Sequence, residues 1–439
     1  NRYDTRSMGK TNTLFFLVFL LIVTAHCIFP DEQYCITSIK VKGNKRSKDF
    51  VILQECRFEE GKCYTLSELE ERAEVTKQRL KNLGIFSEVD IEIETGDCEK
   101  PPCAATVVIQ IKDRWTFFPL PLYYVDNKIG HIIGFNIQDF NVFGLGQSLH
   151  LKGLYNPYLK SLFLMWHYPR MFGSYFAADV EIGYRDYSDL VYKDDTLAYQ
   201  ADIRRFENSL RLRKRFPIGN TELAPFIGYE FALGETFIIK NEIDREEENE
   251  DYVILNAGLQ HGLLNRDTGT VWGDQNEVMA LYSVFDQMPG LQLQHAKYFR
   301  IFGRSTLAYS LQGQINPFRE IQLTSLDVRG IKPGQLRGNY GIHGNIDLRL
   351  YVTSFHLIVD NDLYWVFFTD IGNYFSVDET VDILETPITA GIGIRLYLEQ
   401  VGGPGKGGRF DFGINFKSVS EEKPIEYVIF VALAFDEMF

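Results

Sequence analysis

The stretch that decides the fold is Tyr427-Val-Ile-Phe-Val-Ala-Leu-Ala-Phe-Asp-Glu-Met-Phe439. Tyr427, Ile429, Val431, Leu433, Phe435 and Phe439 share one parity, and in an extended chain residues of one parity share one face. An oily face that ends in an aromatic ring fits a lipid-facing wall whose last ring sits at the membrane interface. The same period recurs upstream in Leu162, Leu164, Trp166 and Tyr168, then in Val180, Ile182 and Tyr184. It returns in Ile392, Ile394, Leu396 and Leu398, and in Phe410, Phe412, Ile414 and Phe416. This is the period of strands rather than of helices.

The texture runs from Trp115 to Phe439 with Gly, Asn, Asp and Pro between the segments. About 325 residues at roughly 20 per strand plus turn give about sixteen antiparallel strands, and the sheet must close because hydrocarbon offers an open edge no partner. A propeller would repeat every 40 residues or so, and no such repeat is present. A soluble sandwich has no need of 34 Phe and 24 Tyr in 439 residues. The expected fold class is a transmembrane β-barrel of about 16 antiparallel strands over 115–439, behind a small N-terminal α/β domain. The mean hydropathy of −0.14 agrees with crossing by strands. Lys and Arg total 45 against 59 Asp and Glu, a net charge of −14, which argues against a nucleic-acid partner.

Residues 1–25 read as an address. Lys10 precedes the apolar run Leu14–Val23, and Val23-Thr24-Ala25 supplies acceptable residues at a cleavage site, so a signal peptide is expected, with Met8 as a plausible start. A run of ten is short of the roughly 20 residues that a spanning helix needs. Behind it, residues 35–113 alternate as strand, helices and two strands. Ile39 and Val41 mark the first strand; Val89, Ile91 and Ile93, then Val107, Ile109 and Ile111, mark the last two. Between them Thr65 and Glu68 can form a capping box for a helix that presents Leu66, Leu69, Ala73, Leu80 and Leu83 before Gly84. Cys27, Cys35, Cys56, Cys63, Cys98 and Cys103 all fall in this first quarter. An exported domain permits three disulfides, and proximity suggests Cys56–Cys63, Cys98–Cys103 and Cys27–Cys35 among about fifteen formal pairings. No short C-x-x-C pair or histidine cluster suggests a metal.

Three later segments stand out. The acidic run Asn241–Asp251 cannot face lipid and is expected to form an external loop. GGPGKGG at Gly402–Gly408 lacks the Lys-Ser/Thr of a phosphate loop and reads as a turn. Asp327–Tyr351 carries Arg329, Arg337 and Arg349 among closely spaced glycines, so a loop there could fold into a polar lumen and hold a guanidinium. A buried arginine needs a carboxylate. Asp370 in Phe368-Thr-Asp-Ile-Gly372 is the preferred candidate because it interrupts an apolar strand, with Asp360 or Asp362 as alternatives. Neither a G-x-S-x-G elbow nor an H-E-x-x-H nor a Walker loop is present, so no enzymatic activity and no cofactor are expected.

These residues resemble those of the Omp85 superfamily, the BamA/TamA type of outer-membrane protein, with one POTRA domain ahead of a sixteen-stranded barrel. Val328-Arg329-Gly330 is similar to the motif of the family's inward-folded loop, with Ile331 where an aromatic is usual, and Phe368-x-Asp370-x-Gly372 to its barrel-wall motif. Gly391-Ile-Gly393-Ile-Arg395 and a terminal assembly signal of Tyr427, Phe435 and Phe439 also fit. The resemblance implies an Arg329–Asp370 contact, a bacterial outer-membrane location with the POTRA domain in the periplasm, and a weak seam between first and last strands. It further implies outer-membrane lipids and protein partners docked on the POTRA domain. Assisted insertion of other barrels follows from it; a translocation pore for a dedicated partner or solutes, and an anchor subunit of a larger complex, are the alternatives.

Overall fold

The computed structural model describes residues 33–96, 102–126, 129–193, 196–219, 221–241, 244–249, 251–267, 270–319, 321–322, 328–329, 331, 337–356, 360–376, 386–398, 406–416 and 426–436. They divide into two compact units. One comprises the described chain up to Lys42 with Cys56–Lys77 and Asp90–Gln110; the other comprises Gly43–Glu55, Gln78–Val89 and the chain from Ile111 onward.

At the N-terminal end, β1 (Gln33–Lys42), α1 (Asp49–Leu53), β2 (Cys63–Thr65), α2 (Leu66–Asn82), β3 (Phe86–Thr95) and β4 (Cys103–Asp113) build a sheet in the order β2-β1-β4-β3. The pattern predicts three strands; the fourth, β2, spans three residues, too few for an alternation to show. The helix starts as expected: the Thr65 N–H donates to Glu68 Oε2 at 2.9 Å and the Glu68 N–H to Thr65 Oγ1 at 3.3 Å. Leu69 and Leu80 are wholly buried, whereas Leu66 is exposed.

The disulfides correct the sequence reading. Cys35 is bonded to Cys63, not to Cys27, and Cys56, expected to pair with Cys63, is a free thiol. Pairing by closeness along the chain fails because β2 lies antiparallel beside β1 and sets Cys35 opposite Cys63 in register. Cys103 is also disulfide-bonded, while Cys27 and Cys98 lie outside the described residues.

Sixteen antiparallel strands, from Phe117–Asp126 to Glu426–Asp436, close a barrel in which sequence neighbours are neighbours in the sheet. Short segments at Phe216–Ile218 and Asp244–Asn249 pair with the ends of the Thr221–Asn241 strand. The second of these belongs to the acidic run expected to be a loop, and is instead one arm of a hairpin. Its charges forbid contact with lipid but not backbone pairing, and the 21-residue strand it extends is far longer than the roughly 9–11 residues needed to cross a bilayer. Of the turn expected at Gly402–Gly408, the part from Lys406 to Gly408 already pairs with the last strand.

The barrel is apolar outside and polar inside. Along Tyr340–His356, Ile342 and Ile346 are 51% and 54% exposed, while His343, Asn345, Asp347 and Arg349 are buried between them. The next strand, Asp360–Phe375, exposes Trp365, Phe367 and Ile371 and buries Tyr364, Phe368, Asp370 and Tyr374. This inversion suits a wall between lipid and a polar lumen. Among the described residues no helix is long and apolar enough to cross a membrane.

Candidate functional site

The lumen holds a dense ionic cluster. Arg329 is 3% exposed and its main partner Asp370 0%. The guanidinium donates from Nε to Asp370 Oδ2 at 2.7 Å and from Nη2 to Oδ1 at 2.6 Å, a two-pronged clasp, and the Arg329 backbone N–H adds a third bond to Oδ2 at 2.8 Å. Nη2 also reaches Asp347 Oδ1 at 2.6 Å, and the guanidinium lies 3.9 Å from the centre of the Phe368 ring. Of the alternatives, Asp362 is taken by Arg304 at 2.8 Å, and the Asp360 side chain lies outside the described residues.

Local sequence explains the fit. Phe368, Asp370 and Gly372 share the inward parity of one strand, so ring, carboxylate and gap line up beneath the loop. A Cβ at position 372 would sit 2.7 Å from the His343 Cβ and 2.8 Å from Val328 Cγ2, so only glycine lets the loop come this close. Val328 and Ile331 then bury against Tyr374, which gives the missing aromatic at 331 an aliphatic substitute. Gly330 lies outside the described residues.

Sequence reasoning singled out Arg349 and Arg395 but missed their partners Asp347 and Asp411, and Arg409. Asp347 bridges Arg329 and Arg349, whose Nη2 lies 3.2 Å away; Arg395 holds Asp411 at 2.5 and 3.1 Å, joined by Arg409 Nε at 2.6 Å. A Cβ at Gly393 would collide with the Asp411 carboxylate, and one at Gly391 with the Phe368 ring, which accounts for the Gly-x-Gly-x-Arg spacing. Asp347-x-Arg349 and Arg409-x-Asp411 were visible as charges two apart in apolar strands, the signal for a polar inner face. A second cluster was hidden because its members are far apart in sequence. Arg79 donates to Glu55 at 2.7 Å and to Glu222, Arg215 clasps Glu222 at 2.8 and 2.9 Å, and Arg170 pairs with Glu55.

Among the described residues the shortest ladder between neighbouring wall strands is where the barrel closes. The last strand registers with the first over three residue pairs, Val431↔Val125, Ala432↔Tyr124 and Leu433↔Tyr123. Its pairing with Lys406–Asn415 on the other side runs over ten, as does that of the first strand with Gly130–Val142. Of the expected terminal signal, Tyr427 and Phe435 lie in this last strand, while Phe439 is outside the described residues.

Residues 34–114 match the POTRA family, described as a surface antigen variable number repeat. Over 398 residues the chain is 25% identical to the outer membrane protein assembly factor BamA of Neorickettsia risticii (strain Illinois), across 82% of this chain and 50% of that protein. The crystal structure of BamA from Haemophilus ducreyi lacking POTRA domains 1–3 shares the fold, with a TM-score of 0.52 at 14% identity over 91% of this chain and 84% of that one. The chain belongs to the Omp85 superfamily. CdiB from Escherichia coli has the same fold at a TM-score of 0.62 and 15% identity, covering 91% of this Omp85 chain and 76% of its own. CdiB from Acinetobacter baumannii gives 0.59 and 14%, with 91% and 74% covered. This Omp85 protein spans half the length of the BamA relative. It is an outer-membrane barrel with a periplasmic POTRA domain.

Proposed function

We propose that this Omp85 protein assists the insertion of other β-barrel proteins into the outer membrane through a lateral seam between its first and last strands. The observation that carries the reading is the three-pair seam in a wall otherwise paired over long ladders. Each unpaired backbone group at membrane depth costs several kcal/mol, so a seam with few pairs is where the wall opens at least cost. Opening exposes strand edges, and an exposed edge recruits another strand by backbone pairing. No bond is made or broken in such a step. The lumen cluster has a matching role: the clasp of Arg329 on Asp370 and Asp347 braces one side of the barrel while the seam, on other strands, moves. The POTRA domain would deliver protein partners, as befits a relative named as an outer-membrane assembly factor.

The test is reconstitution of the full chain in liposomes with a urea-denatured eight-stranded barrel as client. Folding of the client faster than in empty liposomes is the expected result. Solute flux with no acceleration of folding would favour a translocation pore and sink this reading.

A further inference from the structure

The second ionic cluster, that of Glu55, Arg79 and Glu222, borders a cavity of about 440 Å³. Phe140, Gly146, Pro169, Arg215 and Leu264 of its lining flank the turns that follow the second, fourth, sixth and eighth barrel strands, and in an antiparallel barrel alternate turns lie at one end. The chain leaves the POTRA domain and enters its first strand at that end, so the cavity lies at the periplasmic mouth of the lumen. Glu55, Arg79 and Leu83, also in the lining, belong to the same compact unit as the barrel strands. Arg213 shares the parity of the buried Arg205, so it reaches the space from the inner face of its strand.

Cations outnumber anions around this space. Arg79 and Arg170 pair with Glu55, Arg79 and Arg215 with Glu222, and Arg213 with Asp179 at 2.7 Å, so four guanidinium groups share three carboxylates. Arg266 lines the cavity as a fifth. Arg79 and Arg170 are only 4% and 2% exposed. Arg79 Nε and Nη1 and Arg213 Nε are buried and have no acceptor among the described residues. A buried donor without an acceptor and a buried charge without a counter-charge both weaken a fold. One kind of guest answers both, an anion with several acceptor oxygens. We propose that the cavity binds a phosphate monoester, a group of about two negative charges with three terminal oxygens near pH 7. The oxygens take up the unanswered N–H groups, and Leu83, Ile85 and Leu263 offer apolar surface to the organic part of the ester. A free solute and a lipid headgroup share this chemistry, and both reach the site from the periplasmic mouth.

The experiment titrates the full chain, in dodecyl maltoside micelles and a phosphate-free buffer, with glycerol 1-phosphate in a calorimeter. Saturation at one site per chain is expected, with glycerol inert. Arg213→Gln removes a guanidinium together with its unanswered Nε–H and should weaken binding by about tenfold or more. Gln275→Glu leaves every ion pair of the cluster in place and adds a negative charge to the lining, and should weaken binding as strongly. Dibutanoyl phosphatidic acid, the same head on short acyl chains, separates the sources: equal or weaker affinity assigns the site to a free solute, tighter binding to a lipid headgroup. Absence of saturable binding, or unchanged affinity in either folded variant, overturns the site and leaves the insertion reading in place.

Discussion

Replacing Arg329 with alanine removes the clasp on Asp370, the bond to Asp347 and the cover over the Phe368 ring. Asp347 keeps Arg349 at 3.2 Å, but among the described contacts Asp370 keeps only the backbone N–H of residue 329. Both carboxylates are fully buried. Taking one partner from a buried ion pair costs about 3–5 kcal/mol, mainly because the other charge stays behind undischarged. Arg329→Lys keeps the charge and loses the two-pronged geometry, for which about 1.5–3 kcal/mol is expected. If the stranded carboxylate is the cause, Asp370→Asn in the alanine background should restore part of the loss, with a coupling energy of about 1–3 kcal/mol. Guanidinium unfolding of the purified barrel in detergent micelles, followed by tryptophan fluorescence, measures all three. An alanine variant within about 0.5 kcal/mol of the parent, with an additive double variant, would refute the reasoning.

Gly372→Val should cost about 1–3 kcal/mol by pushing Val328 and His343 apart, and Gly393→Ala a similar amount by displacing Asp411 from Arg395; the same unfolding curves test both. Peptide mapping without reduction should recover Cys35 linked to Cys63, and Cys35→Ser should destabilise the N-terminal domain by about 2–5 kcal/mol in a thermal melt of that domain's signal. Burial pushes the Cys56 thiol up, so it should react with iodoacetamide at pH 8 more slowly than a free peptide thiol. Burial also raises the Asp113 carboxyl, but the Arg46 N–H, the Ser47 hydroxyl and the Lys45 N–H outweigh it and hold the group below the usual carboxylate range. Stabilisation from Asp113 is therefore present above its unfolded pKa and is lost as pH falls through the lower folded value; Asp113→Asn should flatten this acid limb in stability measured from pH 2 to 6.

Much of the barrel was legible because period-two alternation is written in segments such as Leu162–Tyr168, Ile392–Leu398 and Tyr427–Phe435, and the interior charges interrupt it on one parity. That an arginine of the glycine-rich loop would take a carboxylate of the Asp360–Phe375 strand could be anticipated from the residues, but the choice of Arg329 and Asp370 over Asp360 or Asp362 rested on the family resemblance. What stayed hidden depends on proximity that spacing does not encode. Cys63 meets Cys35 through a three-residue strand, and Glu222 meets Arg79, itself bound to Glu55, from 143 residues away. The acidic run misled because its composition speaks to solvent exposure, while strand pairing is a matter of the backbone.

The most direct measurement of the central claim is reversible locking of the seam with Tyr124→Cys and Ala432→Cys, a pair the register sets opposite one another. The locked protein should lose its acceleration of client folding in liposomes and regain it on reduction, while the parent, taken through the same oxidation and reduction, is unaffected. A locked seam that supports client folding at the parent's rate would contradict the account, because the wall would then do its work closed.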